Sequence, residues 1–145
     1  VSVAVTSIRR ALPLVSLLDG QFRDGGVQSG GGFRWVQFDL PGSGRLELIE
    51  PLETAAADNF LVRFLKDSGE GIHHVTLKVI DLKKAIARAG ALGLDVVGVD
   101  TSHENWKEAF VHPKSASGVL VQLAQWTDQP PSGRQLDDVL DGDRS

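Results

Sequence analysis

The sequence predicts an α+β fold of two βαβββ modules whose strands form a curved mixed sheet, a cup open on one side. Two observations carry this. Val5-Thr6-Ser7-Ile8-Arg9-Arg10-Ala11-Leu12 matches Val79-Ile80-Asp81-Leu82-Lys83-Lys84-Ala85-Ile86 type by type, at an offset of 74 residues. Later in each half, Gly44-Arg45-Leu46-Glu47-Leu48 matches Gly118-Val119-Leu120-Val121-Gln122-Leu123, with Glu47 and Gln122 offset by 75 residues. Two matches in the same order at nearly one spacing indicate two copies of one unit.

Each copy opens with an alternating strand, a capping residue (Ser7 or Asp81) and an amphipathic helix. In the first copy the pattern predicts strands over 1–6, 20–28, 33–40 and 44–50 and a helix over 8–18. The Gly-rich stretch from Gly25 to Gly32 and the turn Pro41-Gly42-Ser43-Gly44 divide it into hairpins. A linker over 51–71 holds a short helix from Asn59 to Lys66. The second copy predicts strands over 72–79, 94–100, 106–112 and 118–125 and a helix over 82–92. The chain so divides into modules at 1–50 and 72–125, the linker between them, and a tail at 126–145. That tail carries five Asp and two Arg, with Pro130-Pro131 and Gly133, and reads as a solvated acidic segment in which a docking helix over 136–140 is possible.

Composition bounds the function. The chain has 145 residues, 41% hydrophobic, enough for one sizeable core. Its net charge of −4 and pI of about 5.5 argue against nucleic-acid binding, which usually needs a basic stripe. No apolar run is long enough to span a membrane and no leader is visible, which suits a cytoplasmic protein. With no Cys, any metal must be held by nitrogen and oxygen. With no Met, the sequence reads as lacking its natural start.

Strand alternation then sorts the polar residues. Val75, Leu77 and Val79 form an apolar face expected to pack on helices, with His74, Thr76 and Lys78 on the other. Leu46 and Leu48 oppose Arg45, Glu47 and Ile49. Gln122 lies opposite Val121 and Leu123. If the modules curl into one cup, His74, Glu47 and Gln122 converge inside it as metal ligands. The counterpart of His74 in the first copy is the position before Val1, which would supply a fourth ligand. His73 falls on the apolar face and reads as a core histidine, while His103 and His112 lie near loops.

Three segments now carry a resemblance. Gly69-Glu70-Gly71-Ile72-His73-His74-Val75, Leu46-Glu47-Leu48-Ile49-Glu50-Pro51-Leu52, and Phe110-Val111-His112-Pro113-Lys114-Ser115 followed by Gly118-Val119-Leu120-Val121-Gln122-Leu123 resemble motifs of methylmalonyl-CoA epimerases. These belong to the vicinal oxygen chelate superfamily of glyoxalases, bleomycin-resistance proteins and dioxygenases. The resemblance implies a glyoxalase-like fold. It implies metal ligands at Glu47, His74 and Gln122, and a divalent metal ion, with Zn, Co, Ni, Mn and Fe equally compatible. It also implies a small-molecule substrate of the acyl-CoA or carbonyl kind, a possible homodimer, and isomerase (epimerase) or lyase chemistry through a metal-stabilised enolate. Glu47 is the expected catalytic carboxylate. Where the family carries a last-strand Glu, this chain has Gln122, an amide that cannot act as a base. The third strand offers only Asp39 as a further carboxylate. Thr76, Lys78 and Lys107 are weaker candidates for touching substrate.

Three alternatives stay open: a glyoxalase-like lyase on another substrate, a metal-free binding protein of the bleomycin-resistance kind with Trp35 and Trp106 facing the cup, and a scaffold that keeps only the fold. An extradiol dioxygenase is disfavoured, because its iron needs two His and a carboxylate.

Overall fold

A computed structural model describes residues 1–42 and 44–142. Ser43 of the predicted Pro41–Gly44 turn and the last three residues of the tail lie outside the described residues. Among the described residues the chain forms eight strands and four helices, and it divides into two compact units. The first comprises Val1–His73 and Pro130–Ser145, the second His74–Gln129.

The first unit contains β1 (Ser2–Ala4), α1 (Ile8–Leu17), β2 (Gln21–Gln28), β3 (Phe33–Asp39), β4 (Arg45–Pro51) and α2 (Phe60–Ser68). Its sheet runs β2-β3-β4-β1, with β1 parallel to β4 and the other neighbours antiparallel. The second unit repeats the plan with β5 (Gly71–Lys78), α3 (Leu82–Ala91), β6 (Val96–Asp100), β7 (Lys107–Val111) and β8 (Val121–Gln125). Its order is β5-β8-β7-β6, again with one parallel pair, β5 and β8. Both βαβββ modules expected from the repeat are thus present.

The repeat extends to the helix starts. Ser7 accepts a hydrogen bond from the Arg10 N–H and caps α1, and Asp81 accepts from Lys84 and caps α3. A second donor at each start is met from the end of the module's last strand. The Ile8 N–H donates to Glu50 Oε2, and the Leu82 N–H to Gln125 Oε1, both at 2.8 Å. Glu50 and Gln125 share the 75-residue offset of Glu47 and Gln122, so one strand supplies both a site residue and the cap that anchors its helix.

The first unit carries two apolar clusters, one on each face of its sheet. Leu46 and Leu48 pack with Ile8, Val15, Val36 and Phe38 under α1, while Ala4 and Ile49 pack with Leu61 of α2. His73 stacks edge-on against Phe60 and Phe64 of α2, with ring centroids 5.5 and 5.0 Å apart.

Several details depart from the sequence pattern. Of the Gly-rich stretch, Gly25 and Gly26 lie within β2, opposite Val36 and Trp35, as the strand expected over 20–28 has them, and only 29–32 form the reversal. The last strand of the second module starts at Val121 rather than 118, because Ser117 and Gly118 take positive φ and a turn runs from Pro113 to Val119. Leu77 is 52% exposed, although it was expected under a helix, since α3 lies across β6, β7 and β8. In the acidic C-terminal segment a further helix, α4 (Leu136–Asp141), buries Val139 and Leu140 in the core of the first unit. A Cβ at Gly25 would lie 2.9 Å from Val139 Cγ1, so the glycine makes room for this helix. Arg134 adds a bond to the Gly25 carbonyl at 2.9 Å, and Arg9 pairs with Asp141.

Candidate functional site

The registers set equivalent rows of side chains across the two sheets. In the first unit Ser2, Glu47 and Gln37 are aligned on β1, β4 and β3. In the second, Thr76, Gln122 and Phe110 are aligned on β5, β8 and β7. In each row a hydroxyl on the first strand donates to the oxygen of the last-strand residue. Ser2 Oγ lies 2.8 Å from Glu47 Oε1, and Thr76 Oγ1 lies 2.7 Å from Gln122 Oε1.

Glu47 is also held by Gln37, whose Nε2 donates to Oε2 at 2.8 Å. Ser2 is 2% exposed while Glu47 is half-buried, on the same face as Ala4 and Ile49 of the Ala4–Ile49–Leu61 cluster. Trp35 shares that face and packs against the same cluster.

In the second unit Gln122 is 7% exposed. Its Nε2 donates to Glu108 Oε2 at 2.8 Å, and Glu108 Oε1 accepts from Trp106 Nε1 at 3.1 Å. Trp106 stacks on Trp126 at 5.1 Å. His74 stands on the same face as Thr76 and Gln122, edge-on to Phe110 at 6.2 Å. Burial pulls its pKa down from 6.5 to about 4. At neutral pH the ring is therefore uncharged and keeps a nitrogen lone pair, the form that ligates metals.

Other polar candidates have structural partners. Asp39 lies between Arg23 and Arg45, each at 3.0 Å. Burial opposes ionisation there, but the hydrogen bonds and charges of the two arginines outweigh it and hold the carboxyl below its usual range. Lys78 pairs with Asp128 and covers the Trp126 ring. His112 Nδ1 accepts from the Lys114 N–H and caps a short 3₁₀ turn. His103 is exposed beside Asp100. Lys78 and Lys107 line a cavity of about 390 Å³ with Asn105, Gln125 and Trp126, a set that excludes His74 and Gln122.

Among the described residues no three His, Cys, Asp or Glu side chains gather as they would around a metal ion. The expected donor set holds only two such residues, with Gln122 contributing an amide. Its chemistry nonetheless suits a divalent ion: a neutral imidazole at His74, a carboxylate at Glu47, and an amide oxygen at Gln122 that retains a second lone pair. Sequence reading missed Glu108, Ser2 and Gln37. The signal was there, since alternation along 106–112 puts Glu108 on the face of Phe110, but only the register sets that face against Gln122.

Residues 1–110 match the model of the glyoxalase/bleomycin resistance protein/dioxygenase superfamily, and the chain belongs to that superfamily. It is 33% identical over 105 residues to the mitochondrial methylmalonyl-CoA epimerase of Mus musculus, covering 62% of this chain and 51% of that protein. It is likewise 33% identical over 92 residues to an uncharacterised Bacillus subtilis protein, covering 62% and 64% of the two. The chain thus spans about half to two thirds of the curated relatives it matches. Among solved structures, methylmalonyl-CoA epimerase of Mycobacterium tuberculosis superposes with a TM-score of 0.76 at 25% identity, covering 88% of this chain and 85% of that one. The fold is therefore α+β, as the repeat predicted, and glyoxalase-like, as the resemblance implied.

Proposed function

We propose that this protein is a divalent-metal-dependent enzyme of the epimerase-like branch of its superfamily, acting on a small acyl-CoA or related carbonyl compound through an enolate. The observation that carries the reading is the half-buried polar chain of the second unit, centred on the buried Gln122. Its Thr76–Gln122–Glu108 chain, with neutral His74 on the same face, lies on a sheet surface where a purely structural module would place apolar side chains. The likeness to methylmalonyl-CoA epimerases supports the substrate class.

In this reading His74, Glu47 and Gln122 hold the metal. A divalent ion held there would supply Lewis-acid stabilisation of negative charge on a substrate carbonyl oxygen. The chain's own groups do the rest. Ser2 and Gln37 each donate to one oxygen of Glu47, and Glu47, on leaving the ion, would be the carboxylate that moves the α-proton. Thr76 and Glu108 hold Gln122. Gln122, a neutral amide, orients without taking a proton.

The test is metal analysis of the protein and of His74→Ala, followed by α-proton exchange of methylmalonyl-CoA in deuterated water. Near-stoichiometric metal lost in the variant, with exchange that depends on it, is the expected result. No metal even after incubation with Co²⁺ or Zn²⁺ would overturn it. That outcome would favour a metal-free binding protein.

A further inference from the structure

We propose that Glu108 is a positioning residue that locks the Gln122 amide with its oxygen turned toward β5, making Gln122 a one-sided oxygen donor. The argument is one of hydrogen-bond chemistry. An amide presents an oxygen on one side and an NH₂ on the other, and a buried amide free to flip would offer either. A carboxylate only accepts, so Glu108, 2.8 Å away on β7, requires the NH₂. The oxygen is then left facing β5, where Thr76 donates to it at 2.7 Å and where His74 lies on the same face. Trp106 fixes Glu108 in turn through Oε1, and Trp126 stacks on Trp106. The chain Trp106–Glu108–Gln122–Thr76 spans three adjacent strands, so the amide is held from both sides.

The first unit has the contrasting arrangement. Its last-strand residue is already a carboxylate, Glu47, and the third-strand partner is the amide Gln37, which donates to it. The second unit reverses the roles, placing the amide on the last strand and the carboxylate on the third. Each unit keeps one carboxylate–amide pair in contact between its third and last strands, so neither pair sets two like charges together.

This rests on the metal-centred reading above, and the experiment separates the two. Co²⁺ titration should show Glu108→Ala binding about 10- to 100-fold more weakly than the unaltered protein, the usual cost of removing a group that orients a ligand. The side-chain NH₂ resonances of Gln122, assigned through Gln122→Asn, should shift and exchange faster in E108A. Gln122→Glu, which sets two carboxylates together, should lower the urea midpoint of the metal-free protein, and the exchanged pair E108Q/Q122E should restore it.

Equal Co²⁺ affinity in E108A, within about threefold, would overturn the inference and leave the proposed function standing. A protein that binds no Co²⁺ would overturn the proposed function. The amide resonances then decide the inference alone: unchanged in E108A, they overturn it, and shifted, they support it. Should E108A fail to fold, the volume-preserving pair decides, and no recovery in E108Q/Q122E counts against the proposal.

Discussion

Replacing Val139 and Leu140 by Ala tests whether the acidic C-terminal segment is part of the first unit. Both residues lie within its core, 6% and 8% exposed. Truncating a buried Leu to Ala costs about 2–5 kcal/mol, depending on how far the site collapses. A two-turn helix at the end of the chain relaxes readily, so the low end applies, with a smaller loss at Val139. The double variant should lose about 3–4 kcal/mol. With a urea slope of about 1–3 kcal/mol/M for a small protein, the unfolding midpoint moves down by roughly 1–4 M. Urea unfolding followed by tryptophan fluorescence reads this directly, because Trp35 packs in the same unit. Asp137→Ala is the control. Its side chain is 82% exposed and 3.6 Å from Arg9, so it should change stability by no more than about 0.5 kcal/mol. A double variant whose midpoint stays within about 0.3 M of the unaltered protein would show that the helix only rests on the surface, and the packing argument would fail.

The same contact makes Gly25→Ala costly, by about 1–3 kcal/mol, since the new Cβ would meet the Trp35 carbonyl oxygen at 2.8 Å and Val139 Cγ1 at 2.9 Å. The loss should shrink but not vanish in a Val139→Ala background, as a double-mutant cycle in urea would show. Glu50→Ala removes both the α1 cap and the partner of Arg34, a 2.6 Å ion pair whose side chains are 8% and 14% exposed. Removing the carboxylate paired with a buried charge should cost about 3–5 kcal/mol, far more than Gln125→Ala at the equivalent place, where only a neutral cap worth about 1 kcal/mol is lost. Asn59→Ala should cost about 1–2 kcal/mol, because its oxygen caps α2 at Leu61 and Val62 while its amide holds the Gly31 carbonyl. For the metal-free protein, His74 sets a pH window. Its folded pKa of about 4 lies below the unfolded 6.5, so the unfolded chain takes up the proton first. Stability is full above about pH 6.5 and falls by up to about 3 kcal/mol as pH drops toward 4. Urea midpoints across that range should show the fall, and His74→Gln should flatten it.

Much of this was legible in the chain. The 74- and 75-residue offsets set both modules, their helices and the equivalence of Glu47 with Gln122, because a repeated unit must repeat its apolar alternation and its caps. Alternation alone put His74 with Thr76. Two things stayed hidden. The docking helix over 136–140 was legible as a possibility in the acidic tail, but its burial was not, since Val139 and Leu140 are only two apolar residues among many charges and their place depends on a gap left by Gly25 far away in sequence. Glu108 was passed over because a carboxylate's significance depends on the neighbouring strand. The sequence by itself determined the strand faces and the repeat, which are local properties of period and spacing. Tertiary structure decided which side chain meets which across the strands, because register is a property of the paired sheet and not of either strand alone.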